Sequence, residues 1–167
     1  MNRWYAALCK PRQETVAEAN LANQGFAVYL PRLKNRHRLA GRWVDRVEPL
    51  FPRYLFVAAG VESQTLAPIR STRGVSGLVR FGSHLATVAD SLIEALRKRE
   101  DPATGLHDGT RPLFAPGAHI RLLQGPLAGL EGVFAAETGD LRVVVLMELL
   151  GRLNRLKVSP DWVAAAN

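Results

Sequence analysis

The stretch Glu48–Val57, EPLFPRYLFV, decides how this chain is to be read. It packs Phe51, Tyr54 and Phe56 into six residues, just after a strongly basic segment. A β-strand sends alternate side chains to opposite faces, so Tyr54 and Phe56 share one face while Leu55 and Val57 share the other. If one face packs the core, the other is an aromatic patch of the kind that binds a protein. If both faces are covered, the strand is plain core. The residues alone leave both readings open.

Working outward from that strand, strands and helices alternate. Arg3–Cys9 (RWYAALC) is apolar and aromatic and reads as a buried strand. Gln13–Gln24 carries Val16, Ala17, Leu21 and Ala22 at helical spacing, with Gly25 as a stop. Phe26–Leu30 (FAVYL) reads as a second strand, closed by Pro31. Pro31–Arg46 is a basic hairpin or loop turning at Ala40-Gly41, with Trp43 and His37 among its arginines. Tyr54–Ala58 is a further strand, Gln64–Ile69 a short helix weakened by Pro68, and Ser76–Phe81 an extended segment. Ala89–Glu100 has Leu92, Ile93 and Leu96 on one helical face and its basic residues at the C-terminal end, where the helix dipole favours them. This alternation predicts a sheet covered by helices over residues 1–100.

Asp101–Pro116 is rich in Asp, Pro, Gly and Thr and reads as a linker. Beyond it, in residues 117–167, Ala118–Leu123, Gly132–Ala136, Leu141–Met147 and Arg155–Val158 read as short strands of a small barrel, with GPLAGLEG and ETGD as turns.

The charge is uneven. The first 100 residues hold 16 of the 22 Lys and Arg against 8 of the 15 Asp and Glu, whereas the remainder holds 6 and 7, so any anionic partner belongs to the first part. In the basic segment, Arg38 and Arg42 suit nucleic-acid phosphates, and Trp43 and His37 could stack on bases; a solvated loop is the plainer alternative. The single cysteine, Cys9, permits no disulfide within the chain and lies in an apolar strand pattern, as a buried, inert thiol would. The histidines lack metal-ligand spacing, the glycines after Gln124 lack the Lys-Ser/Thr ending of a P-loop, and there is no nucleophile elbow. The chain reads as non-enzymatic, with no cofactor and no metal. With no signal-peptide or membrane-spanning stretch, it is expected to be a soluble, cytoplasmic monomer.

RWYAALCKPRQ near the start, EPLFPRYLFV and STRGVSGLVRFG (Ser71–Gly82) together resemble the N-terminal domain of the NusG family of transcription elongation factors, and its specialised RfaH-like branch most of all. Gly117–Phe134 resembles the KOW motif of that family's second domain, so the likeness runs in order along almost the whole chain. The resemblance implies an α+β architecture: an NGN-type antiparallel sheet with flanking helices, a linker, and a C-terminal KOW-type β-barrel. It also implies docking on the clamp helices of the largest subunit of RNA polymerase through Trp4, Tyr5, Phe51, Tyr54, Leu55 and Phe56, with suppression of pausing and termination. Lys10, Thr72 and Arg73 match positions that face the exposed non-template DNA strand. For the second domain the resemblance offers the ribosome's small subunit or Rho as partners.

The match is incomplete. Thr65-Leu66-Ala67 stands where the RfaH-like branch has a His-Thr-Thr polymerase contact, and Val16 and Asn20 replace residues used there on DNA. In that branch the second domain can also fold as a helical hairpin that masks the polymerase patch. Glu48 and Arg142 match the charged pair that latches the masked form, and Leu146–Leu156 could be helical. Against helix stand Pro126, Gly129, Gly132 and Gly139, since glycine costs about 1 kcal/mol and proline about 3 in a helix interior. The barrel is therefore the expected form. A general NusG-like factor, or an RNA- or ribosome-binding KOW protein, is the competing function.

Overall fold

The computed structural model describes residues 2–60, 66–109 and 128–165. Its elements are β1 (Asn2–Cys9), α1 (Glu14–Asn23), β2 (Ala27–Tyr29), β3 (Arg32–Leu39), β4 (Arg42–Pro49), β5 (Tyr54–Gly60) and α2 (Ala67–Arg70). They continue with β6 (Val75–Leu78), β7 (Arg80–Phe81), β8 (His84–Leu85), β9 (Thr87–Val88), α3 (Asp90–Lys98), β10 (His107–Asp108), α4 (Ala128–Ala135) and α5 (Gly139–Ala165).

The main sheet runs β2-β5-β1-β6, with β9 also on β1, and every pairing in it is antiparallel. Its strands are the apolar runs of the first 100 residues. β1 and β5 pair with Ala6 opposite Phe56, Ala7 opposite Leu55 and Leu8 opposite Tyr54. Residues directly opposite one another in an antiparallel pair project to the same face, and the core divides accordingly. Tyr5, Ala7, Leu55 and Val57 pack with Ala17 and Leu21 of α1 and Ile69 of α2. Ala6 and Phe56 pack on the opposite side with Leu92, Ile93 and Leu96 of α3. α2 starts at Ala67 with Pro68 in its first turn, where a missing N–H costs nothing, so the proline starts the helix and does not weaken it.

A second sheet, β10-β3-β4, contains the basic segment as an eight-rung hairpin from Arg32↔Pro49 to Leu39↔Arg42. Ala40 and Gly41 both take positive φ, 52° and 80°, the backbone of a two-residue turn that matches strand twist. Part of the expected linker is structured: β10 lies parallel to β3, and the Gly109 N–H donates to the Lys34 carbonyl at 2.9 Å. The rest of that linker, from residue 110, and the expected strand Ala118–Leu123 lie outside the described residues, as do Pro126 and Thr65.

The expected barrel strands are not formed. Gly132–Ala136 falls largely in helix α4, and Leu141–Met147 and Arg155–Val158 both fall in helix α5. The two helices pair as a hairpin packed on the main sheet and α3, so over the described residues the alternative form is the one adopted. The glycines weighed against helix are the reason the helices can approach. A Cβ on Gly129 would stand 2.6 Å from Leu149 Cδ1, and one on Gly132 would stand 3.2 Å from Val145 Cγ1. Their propensity cost is offset by packing that a larger residue would block. Thr138 caps α5, its hydroxyl accepting from the Leu141 N–H at 3.2 Å, with Asp140 in the first turn to meet the positive end of the dipole.

Candidate functional site

The aromatic patch read from EPLFPRYLFV exists on one face of the sheet. Phe51 meets Phe56 edge-on with centroids 5.9 Å apart, and Phe56 stacks on Tyr29 at 6.2 Å. Trp4 and Tyr54 pack against the same cluster, partly buried. The Arg97 guanidinium lies 5.5 Å from the centre of the Trp4 ring and 4.9 Å from that of Tyr29, an arrangement in which the ring faces attract the cation. Tyr5 and Leu55 do not belong to this patch. They are 9 % and 0 % exposed, on the opposite face beneath α1, because Tyr5 alternates with Trp4 and Leu55 with Tyr54 along their strands.

The helical hairpin covers the patch. Leu130 and Val133 of α4 and Leu146 and Leu150 of α5 are buried in the same cluster as Phe51 and Phe56. Each such side chain contributes about 1.5–3 kcal/mol relative to leaving it in water. Polar clasps pin the hairpin around this apolar contact. Arg142 is 4 % exposed; its Nε donates to the Leu50 carbonyl at 2.7 Å, and its Nη2 lies 3.9 Å from Glu48 Oε1. Glu48 is shared, since it also accepts from Asn35 Nδ2 at 3.3 Å and lies 3.5 Å from His37 Nε2. Burial pushes the Arg142 guanidinium below its usual pKa, and Glu48 partly opposes that. Further along α5, Asn154 Oδ1 accepts from the Thr87 N–H at 3.3 Å.

A third clasp has no signal in the sequence. Arg99 forms an ion pair with buried Glu131 of α4 and lies 4.6 Å from the Phe134 ring centre. Beside it His107, on β10, is buried with its ring 5.2 Å from Phe134. Its Nε2 sits 3.5 Å from the Tyr29 hydroxyl, and its Nδ1 has no hydrogen-bond partner among the described residues. Tyr29 donates its hydroxyl proton to Glu100, and burial with that bond raises its pKa. Burial, then the nearby Arg99, lowers His107 to about 4. Nothing in a lone histidine within a polar linker marks this seat.

The three residues matched to DNA contact lie close in the chain's turns but differ in role. Lys10 and Arg73 are exposed, and the Lys10 N–H donates to the Gly74 carbonyl at 2.8 Å, which holds the two turns together. Thr72 is buried. Its hydroxyl donates to the Pro68 carbonyl and accepts from Gln24 Nε2, both at 2.7 Å, so it anchors the turn that presents Arg73. Arg38 and Arg42 are exposed near the tip of the β3–β4 hairpin. Cys9 is fully buried and its thiol is pushed up to about 12, chiefly by burial, so it is no nucleophile. Among the described residues no group of side chains could hold a metal ion, and no helix is long and apolar enough to cross a membrane.

Residues 2–97 match the family described as transcription termination factor NusG. The chain is 25 % identical over 175 residues to the transcription termination/antitermination protein NusG of Staphylococcus aureus, in strains Mu50 and N315 among others. Those alignments cover 96 % of this chain and 94 % of the relatives. A solved structure described as domain interaction in Thermotoga maritima NusG aligns at a TM-score of 0.43 and 21 % identity, over 59 % of this chain and 56 % of that one. With the family match spanning more than half of its length, this chain belongs to the NusG family.

Proposed function

We propose that the chain is a transcription elongation and antitermination factor, a binding protein without catalysis, that docks on RNA polymerase through Trp4, Phe51, Tyr54 and Phe56. The observation that carries this reading is the contiguous aromatic face on β1 and β5, which a separate, clasped helical hairpin covers. The polar contacts at Arg142 and Asn154 are the kind that a releasable cover would use. On this reading the free chain is closed, and the clamp helices of the polymerase take the place of α4 and α5. Lys10 and Arg73, presented by turns that Thr72 anchors, meet the exposed non-template strand, and Arg38 and Arg42 add cationic charge along the hairpin. The C-terminal segment, once released, is free to engage a translation or termination partner.

The test is transcription through a pause with purified polymerase and the full chain. Reversing Arg142 or Glu48 singly should raise polymerase binding and shorten the pause by loosening the cover. Adding Tyr54→Ala to either variant should remove the gain. A folded, clasp-broken variant that leaves the pause unchanged rejects the reading.

A further inference from the structure

The β3–β4 ribbon carries a surface that the docking face does not use. From Arg38 to Val47 every residue is exposed, on both faces of the ribbon, so this part leaves the body of the protein. The most exposed large hydrophobic side chain among the described residues is here: Trp43, at 65 %. Nothing in the fold requires it, since a solvated β-ribbon is satisfied by any polar residue at that rung.

Its neighbours are defined by register. Trp43 pairs across the ribbon with Arg38, and the next rungs on the same face are Arg36↔Asp45 and Lys34↔Val47. The two acids of the ribbon are already committed. Asp45 lies within 3.6 Å of Lys34 and 3.4 Å of Arg36, and Glu48 lies near His37 and Arg142. Arg38, Arg42 and Arg46 have no carboxylate within ion-pair distance among the described residues. The tip therefore combines an open aromatic side chain with an unneutralised guanidinium, Arg38, on the same face, while Arg42 and Arg46 add unneutralised charge on the opposite face of the ribbon.

We propose that the tip of the β3–β4 ribbon is a binding site for an unpaired DNA strand, with Trp43 stacking on a base, Arg38 across the ribbon from it holding a neighbouring phosphate, and Arg42 on the opposite face beside the turn adding cationic charge where the strand passes the tip. The choice of an unpaired strand follows from the chemistry. Every base has a stacking face, but a duplex buries those faces and offers only phosphates and groove edges. A purely anionic partner would use the arginines and leave Trp43 idle. The choice of DNA over RNA rests on the proposed contact with the non-template strand. The site itself rests on the ribbon's own geometry. It lies away from the hairpin-covered face, so it is open while α4 and α5 are docked.

The experiment measures binding of a labelled single-stranded DNA oligonucleotide to the full chain by fluorescence anisotropy, over a salt series. Trp43→Ala should weaken binding about tenfold, within the range measured for loss of one base–aromatic stack, and Trp43→Phe should retain most of the affinity. Arg38→Ala and Arg42→Ala should each lower the slope of log affinity against log salt, by about 0.7 for each single-strand phosphate no longer neutralised. Binding to a duplex of equal length, or to heparin, should not respond to Trp43→Ala. The proposal is overturned if single-stranded DNA binds Trp43→Ala as it binds the wild type, or if the duplex weakens equally. Tighter, Trp43-dependent binding of the matching RNA overturns the assignment to DNA. Because Trp43 is exposed, its replacement leaves the fold intact. Because no polymerase is present, failure here is distinct from failure of the pause assay.

Discussion

Arg142 of α5 donates through Nε to the main-chain oxygen of Leu50 at 2.7 Å, while its approach to the carboxylate of Glu48 is 3.9 Å. The clasp between the hairpin and the first domain is thus first a charge-assisted bond to backbone and only second an ion pair. Removing Glu48 leaves the stronger bond in place, and the partly exposed carboxylate contributes about 1 kcal/mol or less. Removing Arg142 deletes both and leaves a buried carbonyl unpaired, at about 1–3 kcal/mol. Glu48→Gln should therefore open the hairpin less than Arg142→Met does. Amide hydrogen exchange of α4 and α5 reads the difference, and equal effects reject this ordering.

His107 makes docking depend on pH. In the closed chain burial and Arg99 hold it near 4, with Tyr29, Glu100, Arg99 and Phe134 around it. Glu100 is 3.8 Å away, but its nearer oxygen already accepts from Tyr29. When the hairpin leaves and Phe134 withdraws, the imidazole on β10 regains water and its pKa rises toward the ordinary value of about 6.5. Between these values the open state binds the extra proton, so closure is fully favoured above about pH 6.5 and weakens as pH falls toward 4, by up to about 1.4 kcal/mol per pH unit. Protection factors of the hairpin amides in the wild type, which correct for the slower intrinsic exchange in acid, should fall on acidification through this window. His107→Leu should flatten that response; a variant that keeps the full pH dependence shows that other groups carry it.

The first domain is legible in the sequence because its signals are local. Apolar runs mark β1 and β5, helical spacing marks α1 and α3, and a turn-forming Ala40-Gly41 marks the ribbon. The proposed docking patch is only partly legible. Grouping Trp4 with Tyr5, and Leu55 with Tyr54 and Phe56, passes over the alternation that separates neighbours in a strand, and the structure puts Tyr5 and Leu55 beneath α1. The second domain misleads because propensity is a local quantity and the role of Gly129 and Gly132 is tertiary: their value appears only when Leu149 and Val145 stand against them. His107 carries no pattern at all, being brought to Phe134 by the path of the linker along β3, and Arg99 reads in the sequence only as a basic residue at a helix end.

Close approach at Gly129 has a measurable cost when it is blocked. Gly129→Val should force Leu149 aside and destabilise the hairpin by about 1–3 kcal/mol, as overpacking does. Leu149→Ala alone also costs stability, but added to Gly129→Val it should recover part of the loss, since residues in contact couple. Urea unfolding followed by far-ultraviolet circular dichroism measures the cycle. Strictly additive losses would show that the close approach is not what the glycine serves.

The buried thiol gives a simple check on the first domain. With Cys9 raised to about 12, the native chain should resist alkylation at pH 8 and react only on unfolding. The sign for stability follows: the unfolded thiol, with its ordinary value of 9.0, ionises first as pH rises, so this contribution is intact below about pH 9 and is lost above it. Rapid labelling by iodoacetamide without unfolding would contradict the burial.

α5 is held at two places that can let go separately. Arg142 and Asn154 are twelve residues apart in the chain, hence about 18 Å along the helix axis. Arg142 holds Leu50 at the start of the aromatic stretch, and Asn154 takes the Thr87 N–H on β9, beside Trp4 of β1. Sites this far apart that share no partner lose stability additively. Asn154→Ala should leave α5 held at Leu50 while exposing the Trp4 end, and Arg142→Met should do the reverse. The double variant should show the sum of the two single losses in hydrogen exchange. If the aromatic face docks on polymerase as proposed, binding should follow a different rule, because that face is whole only when both places are free: each single variant should gain less than half, in log affinity, of what the double variant gains. If one single variant reaches the affinity of the double, that clasp alone controls the face and the other is only a packing contact.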